Sequence, residues 1–165
     1  MNKIIIVLIL TSWSIKAQIN TKIEGITINS ICELEYTRNL GNQNNYACVS
    51  QDSNEKIMQY SVTVQNLFED MKGMNEKTLK IYKDQFFLTT KENSESNGEK
   101  TTLIKLKNGQ KALSIVSELT YSVHKFINTS IVFLYKQKSF IVNLTTNNLN
   151  RKNEIRDLTN RILFK

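Results

Sequence analysis

Thr129 to Leu144 reads TSIVFLYKQKSFIVNL, two apolar runs joined by the polar link Lys136-Gln137-Lys138-Ser139. β-branched and aromatic residues fill Ile131–Tyr135 and Phe140–Leu144, which predicts a β-hairpin. With Tyr135 opposite Phe140, one face carries Ile131, Phe133, Tyr135, Phe140, Val142 and Leu144. The other face carries Val132, Leu134 and Ile141, with Asn143. Side chains alternate across a strand, so a hairpin apolar on both faces must be covered on both. The expected class is therefore α+β: an α/β/α sandwich with a central, mainly antiparallel sheet, one middle helix and one C-terminal helix.

The remaining pattern fills in this frame. Gln18–Ser30 places Ile19, Ile23, Ile26 and Ile28 among polar residues, as a lead-in or irregular strand. Ile31–Thr37 and Asn44–Ser50 read as strands around the turn Arg38–Gln43, and Gln51–Glu55 is a turn-rich link. Lys56–Gln65 alternates, with Met58, Tyr60, Val62 and Val64 on the inner side. Asn66 and Glu69 resemble a capping box, and helical character runs from Leu67 to about Leu88, with Leu67, Met71, Met74, Thr78, Ile81 or Tyr82, and Phe86 on one stripe. Gly73 is costly inside a helix, so the helix splits there, with Asn75 capping the second part. Lys91–Lys100 reads as a polar loop. Asn108-Gly109 predicts a tight hairpin with Lys107 opposite Gln110, between Thr101–Lys107 and Gln110–His124. Phe126–Asn128 turns into the central hairpin. Asn147 or Asn148 caps a last helix over Leu149–Phe164, whose apolar face is Ile155, Leu158 and Ile162.

The start of the chain changes the picture. In MNKIIIVLILTSWSIKAQ, Lys3 supplies a positive start, Ile4–Leu10 a short apolar core, and Ala17 a small residue before Gln18. This is the pattern of a signal peptide over 1–17, leaving one domain over 18–165. A membrane anchor is the other reading, although the apolar run is well short of the ~20 residues a span requires. Cys32 and Cys48 are the two cysteines. In an exported chain they are expected to form a disulfide, and pairing the two strands with Cys32 opposite Cys48 puts Cys32, Leu34, Tyr36, Tyr46 and Cys48 on one inner face.

The 165 residues suffice for one domain with a sizeable core, and 40% hydrophobic content excludes wholesale disorder. Formal charge is +7; removal of Lys3 and Lys16 with the leader leaves +5. Outside the cytoplasm that balance favours acidic proteins or anionic surfaces over nucleic acid. Catalytic patterns are sparse. His124 is the only histidine, too few for a histidine-rich zinc site, and it falls on a polar face near a turn. No metal or cofactor is expected. Glu33 with Glu35, and Glu69 with Asp70, read as solvated carboxylates; a hydrolase with acids dispersed along the chain is the enzyme alternative. Asn128 and Asn143 lie in sequons of the kind expected by chance.

The order of elements, with Asn108-Gly109-Gln110-Lys111-Ala112 entering a long strand, the hairpin IVFLYKQKSFIVNL and the closing NEIRDLTNRILF, resembles the PsbP-like family over about residues 31–165. The segment QYSVTVQNLFEDM is similar to that family's middle. The resemblance implies an α/β/α sandwich and an accessory or binding role without catalysis. The expected function is thus an exported, non-enzymatic binding or accessory protein of the bacterial cell envelope, periplasmic or extracellular. It would act on a protein partner or an anionic envelope surface, with no membrane span after leader cleavage. The alternative is a periplasmic inhibitor, such as an immunity protein against a toxin.

Overall fold

The computed structural model describes residues 18–51, 56–149 and 154–164; the expected leader over 1–17 and most of the Gln51–Glu55 link lie outside these. In chain order the elements are β1 (Ile19–Ile23), β2 (Ile26–Ser30), β3 (Glu35–Leu40), β4 (Gln43–Gln51), β5 (Ile57–Asn66), α1 (Phe68–Met71) and α2 (Glu76–Ser96). They continue with β6 (Lys100–Lys105), β7 (Lys111–Tyr121), β8 (His124–Tyr135), β9 (Lys138–Thr146), α3 (Glu154–Asn160) and β10 (Ile162–Phe164). The molecule is α+β. Seven strands form an antiparallel sheet in the order β3-β4-β5-β9-β8-β7-β6, and β1-β2-β10 form a second sheet.

The apolar hairpin expected from the sequence is β8–β9, flanked in the large sheet by β5 and β7. One of its faces buries Ile131, Phe133, Phe140, Val142 and Leu144 against Ile23, Ile26 and Ile28 of the small sheet, with Leu158 of α3 and Ile162 of β10. Phe133 and Phe140 are cross-strand partners whose rings stack 5.1 Å apart. On the opposite face, Val132 and Leu134 join Leu113 and Ile115 of β7 beneath Leu67, Met71 and Phe87. Each fully buried side chain of this size contributes about 1.5–3 kcal/mol relative to exposure. Much of the cover on the first face is thus a sheet, which period-2 patterning over Ile19–Ser30 announced only faintly.

Helix boundaries differ from expectation in both the middle and the last helix. Gly73, at φ +74°, interrupts the middle helix, and Asn75 caps α2 by accepting from the Thr78 amide at 2.9 Å, as expected. The helix then runs on through the segment expected to be a loop, ending at Ser96. Gly98, at φ +79°, closes it, with its amide donating to the Glu95 carbonyl at 3.0 Å. Conversely, the last helix is shorter than Leu149–Phe164. After Asn160 the chain returns to strand, with Ile162 buried, Leu163 40% exposed and Phe164 packed edge-on to Phe133 and Tyr135. That alternation has period 2, and pairing Ile162 with Ile28 satisfies it where a helix would not.

Four strand registers differ from expectation. Lys136 and Gln137 both take positive φ, so a two-residue turn pairs Tyr135 with Lys138 rather than with Phe140. The slip is by two, so every side chain keeps its expected face. The Asn108-Gly109 turn is longer than expected: Leu106 and Gln110 bracket it, and Leu103, not Ile104, faces Leu113. This slip is by one and exchanges the faces of β6: Leu106 joins the Ala112 face and is buried there, while Leu103 shares the Leu113 face and stays 54% exposed. Gly109 at φ +81° supplies the left-handed residue that a three-residue hairpin loop requires. The β7–β8 turn is Ser122-Val123, not Phe126–Asn128. In β3–β4, Tyr36 faces Tyr46 instead of Asn44, and a bulge follows before Arg38.

The disulfide Cys32–Cys48 is present, with Cα atoms 5.9 Å apart, tying the segment before β3 to β4. The two residues are 16 apart in sequence, so removing the bond with Cys32→Ser and Cys48→Ser should cost about 3 kcal/mol in the loop-entropy account. Chemical denaturation of the oxidised protein and the double variant measures it. Phe140→Ala should cost about 3–5 kcal/mol by emptying the stacked pair, read in the same assay.

Candidate binding surface

Strands β7 and β8 outrun their neighbours. β6 stops at Lys100 opposite Val116, and β9 stops at Thr146 opposite Ile127. From Ser117 to Phe126 the two strands pair only with each other, so a two-stranded ribbon projects from the sheet. Register assigns its faces. Leu119 with Phe126, and Tyr121 with His124, continue the face that buries Leu113 and Ile115; Glu118, Thr120 and Lys125 stand on the other. Tyr121 is 79% exposed and Val123, in the turn, 84%. Ser122 holds φ +56° there, a conformation glycine adopts at less cost. A hollow of about 280 Å³ on the ribbon is lined by Leu119, Phe126 and Leu149 together with Glu118 and Lys125.

The same face continues onto an uncharged stretch of β4, β5 and β9. Cross-strand neighbours there are bonded to each other: Thr63 donates to Asn45 at 2.8 Å, Asn143 to Ser61 at 3.1 Å, and Thr145 to Asn128 at 2.9 Å. Both sequon asparagines therefore sit within strands with their side chains engaged. Amides and hydroxyls held in this way present a fixed, neutral hydrogen-bonding surface.

His124 lies exposed on the ribbon beside Tyr121. Glu33, just before β3, and Glu35, its first residue, are exposed, and Glu69 and Asp70 are exposed in α1, so the two carboxylate pairs lie apart in the chain. Two further acids escaped the sequence reading. Glu154, only 6% exposed, accepts from the Thr129 hydroxyl at 3.0 Å. Glu24 sits in the β1–β2 turn at φ +47°. Its carboxylate accepts from Lys138 Nζ at 2.6 Å and from Asn44 Nδ2 at 2.7 Å, with the Tyr46 hydroxyl at 3.4 Å. This pair bolts the small sheet to the large one. Burial opposes ionisation of Glu24, but the hydrogen bonds from Lys138 and Asn44 and the lysine charge outweigh it and hold the carboxyl below its ordinary range. Burial and the Glu24 charge together raise the Tyr46 hydroxyl.

The chain matches no family model and no curated protein. Its surface chemistry must therefore be read from the residues themselves. Lys138 lies 114 positions from Glu24, and no local spacing rule joins residues so distant. The one local signal was Glu24-Gly25 between two isoleucines, a turn dipeptide.

Because folding favours ionised Glu24, its stabilisation is complete above the unfolded-state value and is lost as pH falls through the folded one. In thermal melts, Glu24→Gln should lower the melting temperature at neutral pH. The gap to wild type should close as pH falls from about 4.5, the ordinary value, downward. A gap independent of pH would assign the clamp to packing instead.

Proposed function

We propose that this chain is an exported, non-enzymatic binding or accessory protein of the bacterial cell envelope, and that the β7–β8 ribbon is its contact element. The observation that carries this reading is the ribbon tip, where Tyr121 and Val123 are the most exposed large apolar side chains among the described residues. Aromatic and apolar groups held out on a paired scaffold lose little entropy on docking and release much ordered water. The disulfide fits an oxidising compartment. Among the described residues no helix is long and apolar enough to cross a membrane. The charge of +5 left from +7 once Lys3 and Lys16 depart with the leader favours an acidic protein surface or an anionic envelope surface as the partner. A PsbP-like α/β/α layering belongs to the same reading: α2 forms one outer layer, and α3 shares the other with the small sheet.

The inhibitor reading draws on the ribbon's shape. A narrow projection carrying His124 and Lys125 behind an apolar tip suits insertion into an acidic cleft, as an immunity protein would require. Affinity capture from envelope extract with wild type and with Tyr121→Ser/Val123→Ser tests the contact. A specific partner should be retained by wild type and reduced roughly tenfold or more in the variant, with the melting temperature unchanged. Equal retention by both would remove the ribbon from the interface. Rescue of toxin-poisoned cells by wild type and not by the variant would select the inhibitor.

A further inference from the structure

Among the described residues the large sheet ends in two edge strands, β3 and β6, each paired on one side only, and they are built differently. β3 carries a bulge between Tyr36 and Arg38, which bends an edge and blunts it against further pairing. β6 pairs with β7 over six consecutive residues without irregularity, so its outer edge is a straight row of peptide groups. Beside it runs a groove of about 300 Å³. Asp84, Phe87, Leu88 and Lys91 form one wall, spaced as a single face of α2, and Leu103 of β6 and Lys111 of β7 form the other. Its floor is apolar: Phe87 is buried, while Leu88 and Leu103 remain 48% and 54% exposed. Lys111 lies over the Phe87 ring and pairs with Asp84 at 3.1 Å. At the far end Glu95 accepts from Thr101 and pairs with Lys91.

An edge strand beside a helix, with an apolar trough between them, is the geometry that accepts an extended peptide as an added strand. We infer that the β6–α2 groove binds an extended acidic segment of a partner protein, which pairs antiparallel along β6. Charge identifies the occupant. β6 reads KTTLIK, with a lysine at each end and no acid. A second copy pairing antiparallel about Thr102 and Leu103 would set Lys100 against the other copy's Lys105, twice, a like-charge arrangement that opposes pairing. A segment with acids five positions apart would instead meet both lysines. The residue two after the first acid would face Leu103 and drop its side chain between Leu88 and Phe87. The required pattern is acid, any, apolar, any, any, acid. This site goes beyond the ribbon contact and lies on a different strand.

The probe is a synthetic decapeptide carrying glutamates five apart, leucine two residues after the first, and threonine or valine elsewhere. It is titrated into the isotope-labelled, disulfide-bonded protein while amide resonances are followed. Shifts should concentrate on Lys100–Lys105 and on Phe87–Lys91, and amides of β6 pointing away from β7 should exchange more slowly. Lys100→Glu/Lys105→Glu should weaken binding roughly tenfold or more, from two charge pairs reversed. The same variant should prefer the peptide with lysines in place of glutamates. Tyr121→Ser/Val123→Ser should bind the peptide as wild type does, which separates this site from the ribbon. No shifts on β6 at millimolar peptide, shifts scattered over all lysines, or concentration-dependent dimerisation through β6 would each overturn the inference.

Discussion

Strands β8 and β9 are apolar on both faces, and water must be kept from both. Five side chains of one face, Ile131, Phe133, Phe140, Val142 and Leu144, are essentially inaccessible. A sheet buried on one side only would leave either this set or Val132 and Leu134 in solvent. The two covers follow from that single requirement. They come from distant parts of the chain: α1 and α2 from its middle, the small sheet from both ends of the described domain. The Glu24–Lys138 bond and the Cys32–Cys48 bridge then fasten the edges of a structure whose centre is already determined by burial.

The same requirement explains where apolar surface stays exposed: where cover is missing. α1 and α2 shelter only part of the face they pack on. Beyond their reach the alternation changes character: Leu113 and Ile115 give way to Ser117, and β4 and β5 present asparagine, serine and threonine. Past that polar stretch the β7–β8 ribbon is apolar again, with nothing from the described chain packed at its tip. A side chain kept apolar in solvent is either tolerated or used, and several aligned on one projecting face weigh toward use.

Much of the architecture was legible in the sequence because burial writes a strong periodic signal. The alternation of Met58, Tyr60, Val62 and Val64, the break at Gly73 and the Asn75 cap all emerged from local rules. What stayed hidden was set by turns and by distance. Lys136, Gln137 and Ser122 are not residues that propensity would choose for positive φ, so strand pairing, not turn preference, placed those bends. At Asn108-Gly109 the turn was found but its length was not, and a slip of one residue reversed Leu103 and Leu106. The candidate surface suffered most from this. Leu119, Tyr121 and Val123 share a parity with Leu113 and Ile115, and that parity does not separate them from the buried pair, whereas β6 and β9 end too early to cover them.

The placement of β10 has a kinetic consequence. β2 lies between β1 and β10, and Ile28 pairs with Ile162 across nearly the whole described chain. The small sheet therefore stays incomplete until the final residues of that stretch have been synthesised, and the apolar flank of β8–β9 that it shields stays open meanwhile. Contacts so remote in sequence make for slow closure. For the exported chain proposed above, such tardiness would be an asset: threaded through a translocation pore unfolded, it would tie the knot last, on the far side.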